Sequence, residues 1–374
     1  MWRTTTLLAT SALLLTALGL VMLASTSAMQ GMAMAEDPHY FVKRQVAALI
    51  LGLVGALVAA RVDYRVWKKW AVPFGVLALV VLVITLIPGI GIAVKGSRRW
   101  LPLGPLTMQS SEIGKLALIF LVAWWMSNAK RQAHELGRGL VVPGLLMGAL
   151  ILPVLASPDF GTTMLMGAVG LCILWAGGSR PSHLIVSGTL AFIGMVVLIM
   201  QNEVRMRRVI AFLDPERYAD REAFQLLNAI YAFVMGGAGG VGLGGSLQKR
   251  HYLPEAHTDF IFAIIGEELG FAASLGVLVL FAVIFVCGLR IAGRAPDSFG
   301  RLTAIGLTCM ITLQAAINLG VVTGCLPTKG LPLPFISYGG TSLAFTLVMV
   351  GLLVGIAHQS DGPLPMGRDK TGPV

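Results

Sequence analysis

The chain reads as an all-α, polytopic membrane protein of ten transmembrane helices, with a long external loop between helices 7 and 8. Three observations lead there. Hydrophobic residues fill 56% of the 374 positions and charged ones only 12%, against about 25% charged in soluble domains. Mean hydropathy is +0.81. The apolar residues lie in long runs rather than amphipathic periods, most near the ~20 residues that cross a bilayer's hydrocarbon.

In chain order, the first run is 7–27. Ala24-Ser-Thr-Ser-Ala28 resembles a signal-peptide cleavage site, but the apolar core is longer than an ordinary signal core, so the run reads as an uncleaved anchor. Runs 45–61 and 71–88 follow, separated by the basic loop holding Arg61, Arg65, Lys68 and Lys69. The fourth, 112–128, starts at Glu112 with Lys115 close behind and ends near Trp124 and Trp125, which read as interface anchors. Runs 140–157 and 160–177 are split at Pro158-Asp159, and 182–201 is the seventh. After the loop 202–259 come 260–291, 302–324 and 341–358. Residues 1–358 thus form one ten-span domain, and 359–374, mixed in charge with Pro and Gly, reads as a disordered tail.

Lysine and arginine set the orientation. With the N-terminus inside, cytoplasmic segments hold fourteen: Arg3; Arg61, Arg65, Lys68, Lys69; Lys130, Arg131, Arg138; Arg180; Arg290, Arg294, Arg301; Arg368, Lys370. Short external loops hold six: Lys43, Arg44, Lys95, Arg98, Arg99 and Lys329. Both termini are therefore expected in the cytoplasm. The segments 89–111, 158–159, 202–259 and 325–340, and with them the unusual polar residues, are expected outside. The net charge of +10 is then a property of basic loops and not of a nucleic-acid surface.

The external stretch before the eighth span is the most unusual. It places His257, Asp259, Glu267 and Glu268 at the start of an apolar run, and ionisable residues there mark a functional site by default. The charge-free part, Leu269–Leu289, is long enough to cross alone. If the helix continues outward, Asp259 stands about 15 Å above Leu269. At about 100° per residue, Glu267 lies roughly 80° and Glu268 roughly 180° from it. Asp259 is then the external candidate, with Glu267 and Glu268 structural. Thr258 or Asp259 could equally cap the helix. The glycine-rich run Gly236–Gly245 reads as a flexible re-entrant connection, or as a loop whose backbone approaches a ligand.

Other chemistry finds little support. Cys172, Cys287 and Cys309 sit in apolar runs and Cys325 in a loop, with no disulfide or zinc spacing. There is no Walker loop, dinucleotide fingerprint or HExxH.

A set of motifs in fixed order is more specific. Gly96-Ser-Arg-Arg-Trp100, Gln109-Ser-Ser-Glu112, Pro158-Asp-Phe-Gly-Thr-Thr163, Arg205-Met-Arg-Arg208 with Phe212-Leu-Asp-Pro215, Gly240-Val-Gly-Leu-Gly244 and Pro254-Glu-Ala-His-Thr-Asp259 precede Leu326-Pro-Thr-Lys-Gly-Leu-Pro-Leu-Pro-Phe-Ile-Ser-Tyr-Gly-Gly340. Over nearly its whole length the chain resembles the SEDS family (shape, elongation, division and sporulation), in the form of its FtsW-like, cell-division branch. It departs at Ser110, where the family has proline, and at Phe224-Gln225 and Asn228 in the long loop, which leaves the role of that loop segment open.

The resemblance implies a peptidoglycan glycosyltransferase that polymerises lipid II into β-1,4 glycan outside the cytoplasmic (inner) membrane, with Asp259 as general base on the acceptor hydroxyl. It also implies a class B penicillin-binding transpeptidase and other divisome membrane proteins as partners. The departing pyrophosphate calls for cations or donors, so Arg98, Arg99, Lys115, Arg205, Arg208 and Lys329, together with Glu112, Asp159 and His257, are the candidate substrate-binding residues. Headgroup contact or ion pairing is the competing account of the basic ones, and Glu112 can pair with Lys115 at i, i+3. Asp159 can equally be a structural hydrogen-bonder and His257 an orienting neighbour of Asp259. The sequence assigns no cofactor and leaves open whether Mg²⁺ or another divalent cation assists the pyrophosphate, for which no closed protein cage is visible. A lipid II flippase and an elongation or sporulation paralogue are the alternatives. The flippase predicts inverted repeats and midplane polar residues, whereas the ionisable residues here gather on the external side.

Overall fold

The structure, a computed structural model, describes residues 1–94, 97–103, 106–219, 222–249, 253 and 255–360. Lys95, Gly96, Tyr252 and Pro254, and the tail residues 361–374 with Arg368 and Lys370, lie outside the described residues.

Helices α1 (Trp2–Ala35), α2 (Tyr40–Arg61), α3 (Tyr64–Leu86), α4 (Ser110–Asn128), α5 (Val142–Ala156), α6 (Phe160–Ala176) and α7 (Pro181–Met200) precede the long loop. That loop contains α8 (Glu203–Leu213) and α9 (Phe224–Gly236), and α10 (Ile261–Arg294), α11 (Ser298–Val322) and α12 (Gly340–Ser360) follow it. Each of the ten apolar runs falls on one of α1–α7 or α10–α12. Eight of those helices are long and apolar enough to cross a membrane, α5 being counted with the π-helical turn Gly137–Val141 before it. The chain is an integral membrane protein.

The other two runs fall on α4 and α6. Helix α6 has only 17 residues. Helix α4 carries Glu112 and Lys115, and protein buries nearly its whole length: it packs on α3, α5, α6 and α11. Helix α7 is the opposite case. It is apolar, has no buried residue and meets mainly α6 and α8, so lipid is the environment its side chains call for.

Small residues let helices close up. The tightest pair is α2 with α12, where a Cβ on Gly351 would come within 2.3 Å of the Ala56 carbonyl oxygen. Without a hydrophobic force between helices in lipid, such backbone proximity supplies the packing.

Two features depart from the sequence expectation. The segment 89–111 is not plain loop: β1 (Ile92–Val94), β2 (Ser97–Leu103) and β3 (Leu106–Gln109) form an antiparallel sheet in the order β1-β2-β3. Trp100 faces Gln109 across it, and β3 leads straight into α4. The eighth span is also not one straight helix. It begins only at Ile261, after turns over 255–260, and breaks at Gly270, whose φ is 76°. The straight-helix height and angles drawn for Asp259 therefore do not apply.

The break is filled by the glycine-rich run. The Val241 and Gly242 amides donate to the Glu267 and Glu268 carbonyls (2.9 and 3.0 Å), and the Phe271 amide donates to Gly237 (2.9 Å). Backbone groups that the helix leaves unpaired must find partners in a membrane protein, and this run provides them. It is thus hydrogen-bonded to the bundle and not a loose connection.

Candidate functional site

The site is assembled from the turn 255–260 and the loop between α11 and α12. Three successive carbonyls of the turn are held. His257 accepts from the Tyr338 amide (3.0 Å), Thr258 from Ser337 Oγ (2.6 Å) and Asp259 from Asn318 Nδ2 (2.8 Å). The Asp259 carboxylate lies on Gly330: a Cβ added there would stand 2.9 Å from Oδ2. The loop that carries Lys329 and Gly330 thus forms one wall against the proposed base.

That loop needs outside support, because Pro327, Pro332 and Pro334 offer no amide hydrogens. Side-chain amides from the spans supply it. Asn318 Nδ2 also donates to the Leu331 carbonyl (2.7 Å), and Gln314 Nε2 donates to that of Pro332 (2.9 Å). Gln45 donates to the Ser337 carbonyl (3.2 Å) and accepts from the Gly339 amide (3.3 Å). Phe335 adopts a left-handed φ of 68°, a strained state that surrounding packing must hold.

Glu112 and Lys115 lie beneath this loop. Both are almost fully buried and 2.8 Å apart, and Lys115 Nζ donates to Gln314 Oε1 (3.1 Å). The pair therefore braces the amide that braces the loop. His257 packs its ring 5.1 Å from Phe41 and 5.9 Å from Tyr338.

A second group surrounds the start of α6. Asp159 is buried and caps the helix, accepting from the Thr162 amide (3.1 Å), which is the ordinary duty of an N-cap aspartate. Its Oδ2 also faces Arg99 Nη1 at 3.6 Å, while Arg99 Nη2 donates to the Pro158 carbonyl (2.8 Å). Strand alternation turns the neighbouring Arg98 to the opposite side, where it is exposed. Arg205 of α8 stacks on the Phe160 ring at 3.5 Å, and burial, then Arg208, hold its guanidinium below the usual arginine range.

Two cavities lie beside the loop that carries Lys329. A cavity of about 140 Å³, lined by Gly161, Met164, Ile317, Val321, Leu326 and Lys329 among others, is apolar except for the Lys329 ammonium. Burial lowers the pKa of that lysine, and its Nζ contacts Met164 Sδ. A wider, open cavity of about 590 Å³ has Arg207, Arg208, Glu222, Gln225 and Thr328 on its walls. Of the sequence candidates, then, Asp259, His257 and Lys329 share one loop system. Asp159 and Arg205 gather at the start of α6, whose Gly161 lines the first cavity; Arg208 lines the second, Glu112 and Lys115 lie below, and Arg98 stands apart.

Glu267 and Glu268 are fully engaged elsewhere. Glu267 accepts from Ser246 Oγ and the Leu247 amide (2.8 Å); Glu268 accepts from Ser25 Oγ (2.8 Å) and Lys249 Nζ (2.6 Å). Both hold the long loop to the bundle. Sequence reasoning missed Gln45, Gln314 and Asn318. The signal for two of them was present: Gln314 and Asn318 are amides at i, i+4 within an otherwise apolar run. Among the described residues no three His, Cys, Asp or Glu side chains gather as a metal site.

A family model described as "Cell cycle protein" (FtsW, RodA, SpoVE) matches residues 5–362. The chain belongs to the FtsW/RodA/SpoVE family. Within it, "Probable peptidoglycan glycosyltransferase FtsW" of Trichlorobacter lovleyi is 41% identical over 343 residues, covering 92% of this chain and 90% of the relative. "Stage V sporulation protein E" of Bacillus subtilis is 39% identical over 351 residues, 93% of this chain and 95% of that one. A chain from a solved peptidoglycan synthase complex, described as coordinating polymerization and crosslinking, is 28% identical. It superposes with a TM-score of 0.79, covering 97% of this chain and 99% of that chain. RodA of Thermus thermophilus is 26% identical with a TM-score of 0.71, covering 97% and 98%. The FtsW/RodA/SpoVE fold therefore extends over almost every element described above.

Proposed function

We propose that this chain is a peptidoglycan glycosyltransferase that polymerises lipid II into β-1,4 glycan on the outer face of the cytoplasmic membrane. One observation carries the reading: the Asp259 carboxylate, on a turn whose carbonyls are pinned at three successive residues, rests against the Lys329-Gly330 wall. A general base contributes when held within hydrogen-bond reach of the proton it takes, and pinning is what fixes it there. Kinship with proteins named peptidoglycan glycosyltransferase FtsW supplies the substrate class.

In this reading the acceptor sugar hydroxyl gives its proton to Asp259 as its oxygen bonds to the anomeric carbon of the donor. The bond to the undecaprenyl pyrophosphate oxygen breaks with inversion, α to β. Pyrophosphate leaves without needing a second carboxylate as general acid. Its developing charge falls to cations: Lys329, at the small apolar cavity, together with Arg205 and Arg208. Asp159, with Arg99, holds the start of α6, and Glu112 and Lys115 act through Gln314. All ten predicted spans cross, both termini are cytoplasmic, and residues 1–358 form one domain. A class B penicillin-binding transpeptidase is the partner, together with other divisome membrane proteins, and septal wall synthesis is the setting.

Purified protein with its transpeptidase partner is expected to convert lipid II to glycan polymer, read on a gel. Movement of fluorescent lipid II across vesicles with no polymer would instead make the protein a flippase. Gly330→Ala offers a finer check. The added Cβ must displace the Asp259 carboxylate by a few tenths of an ångström, and a 1 Å error costs about 10²-fold, so a loss of about 10-fold is expected with the protein still folded. An unchanged rate would mean that Gly330 does not set the carboxylate position.

A further inference from the structure

Asn318 lies in α11, within an apolar run, and is 1% exposed. Its Nδ2 makes two donations, one to the Asp259 carbonyl (2.8 Å) and one to the Leu331 carbonyl (2.7 Å). The two donations fix which end of the amide is nitrogen, since an oxygen there would face two acceptors. They also reach two separate segments. One carries the proposed base; the other begins next to Gly330, on which that base rests. Both bonds come from one planar group of fixed size, so the group sets the separation of the segments. One turn earlier on the same helix face, Gln314 holds Pro332 in the same way and is itself held by Lys115.

We propose that Asn318 is a positioning residue for glycosyl transfer: its single amide group ties the main chain of Asp259 to the Lys329–Leu331 wall and sets the distance between base and cation. The inference rests on the reading of Asp259 as the base. Asn318 touches neither substrate nor the reacting atoms and acts through Asp259. The long-range consequence is that α11 is the ruler of the site. Glu112 and Lys115, on α4, add to that rigidity from below.

Asn318→Leu keeps the branching of the side chain and removes both donations. Turnover by the full-length protein with its transpeptidase partner is measured against lipid II concentration, with folding followed by thermal unfolding in detergent. Misplacing a catalytic group by about 1 Å costs about 10²-fold, so kcat is expected to fall about 10²-fold with KM little changed, because the lost interaction matters in the transition state. A role confined to folding would lower the melting temperature and the active fraction without altering kcat per folded molecule. Wild-type kcat in folded Asn318→Leu overturns the proposal.

If that variant does not fold, Asn318→Asp is used, which keeps the shape. Its carboxylate beside the Asp259 turn disfavours ionisation of the base, so the acid limb of the rate profile is expected to move to higher pH. An unmoved limb at wild-type rate overturns the proposal. Asp259→Asn is run alongside. An active Asp259→Asn enzyme removes the base reading and this inference together; an inactive one beside a wild-type Asn318→Leu removes the inference alone.

Discussion

Glu268→Ala is expected to destabilise the protein by about 3–5 kcal/mol, the cost of leaving one member of a buried ion pair alone. Glu268 is fully buried, and Lys249, 2.6 Å away, is only 10% exposed at its side chain. Ser25 on α1 also donates to the carboxylate, so three separate parts of the chain meet there. Alanine strands the Lys249 ammonium, whose other partner among the described residues is the Ser25 hydroxyl at 2.9 Å. Thermal unfolding in detergent reads the loss. Lys249→Met combined with Glu268→Gln is expected to be milder than the two single changes added together, since the double variant leaves neither charge of the pair without its partner. A melting temperature unchanged in Glu268→Ala would show that water reaches this pair.

Gly240→Ala is expected to release the glycine-rich run from the break in α10. Gly240 has a φ of +80°, and an added Cβ would stand 2.2 Å from the Glu268 carbonyl oxygen. The left-handed conformation costs a Cβ-bearing residue about 1–2 kcal/mol, and forcing atoms into packed backbone about 1–3 kcal/mol more. The neighbouring bonds from the Val241 and Gly242 amides then lengthen or break. Hydrogen exchange at those two amides is expected to accelerate strongly, and proteolysis within 222–249 to become faster. Protection equal to wild type would mean that the run is held by contacts other than this close approach.

How legible these features were depends on the physics that carries each. The spans were readable because lipid demands apolar runs of a minimum length, and even α4, with a buried ion pair, kept its run after Lys115. The sheet 92–109 was not, because its strands are short and broken by glycine and proline. The break at Gly270 was invisible since the apolar run continues straight through it, and only the docking of Gly236–Gly242 makes it stable. That also removed the helical-wheel argument for Asp259, although Glu267 and Glu268 do point to other partners. Attention to charged residues picked out Arg98 and Arg99 alike, and strand alternation decides that Arg99 is the one facing Asp159. The same attention passed over Gln314 and Asn318, the uncharged amides on which the loop hangs.

Asp259→Asn tests the central claim most directly. Asparagine keeps the shape of the side chain and cannot take the acceptor proton at neutral pH. Purified wild-type and variant proteins, each with the transpeptidase partner, are given lipid II, and glycan chains are resolved on a gel. A general base is worth about 10²–10⁴-fold, so the variant is expected to be slower by that factor while folding normally and still binding lipid II. Glycan synthesis at the wild-type rate by folded Asp259→Asn protein would contradict the account.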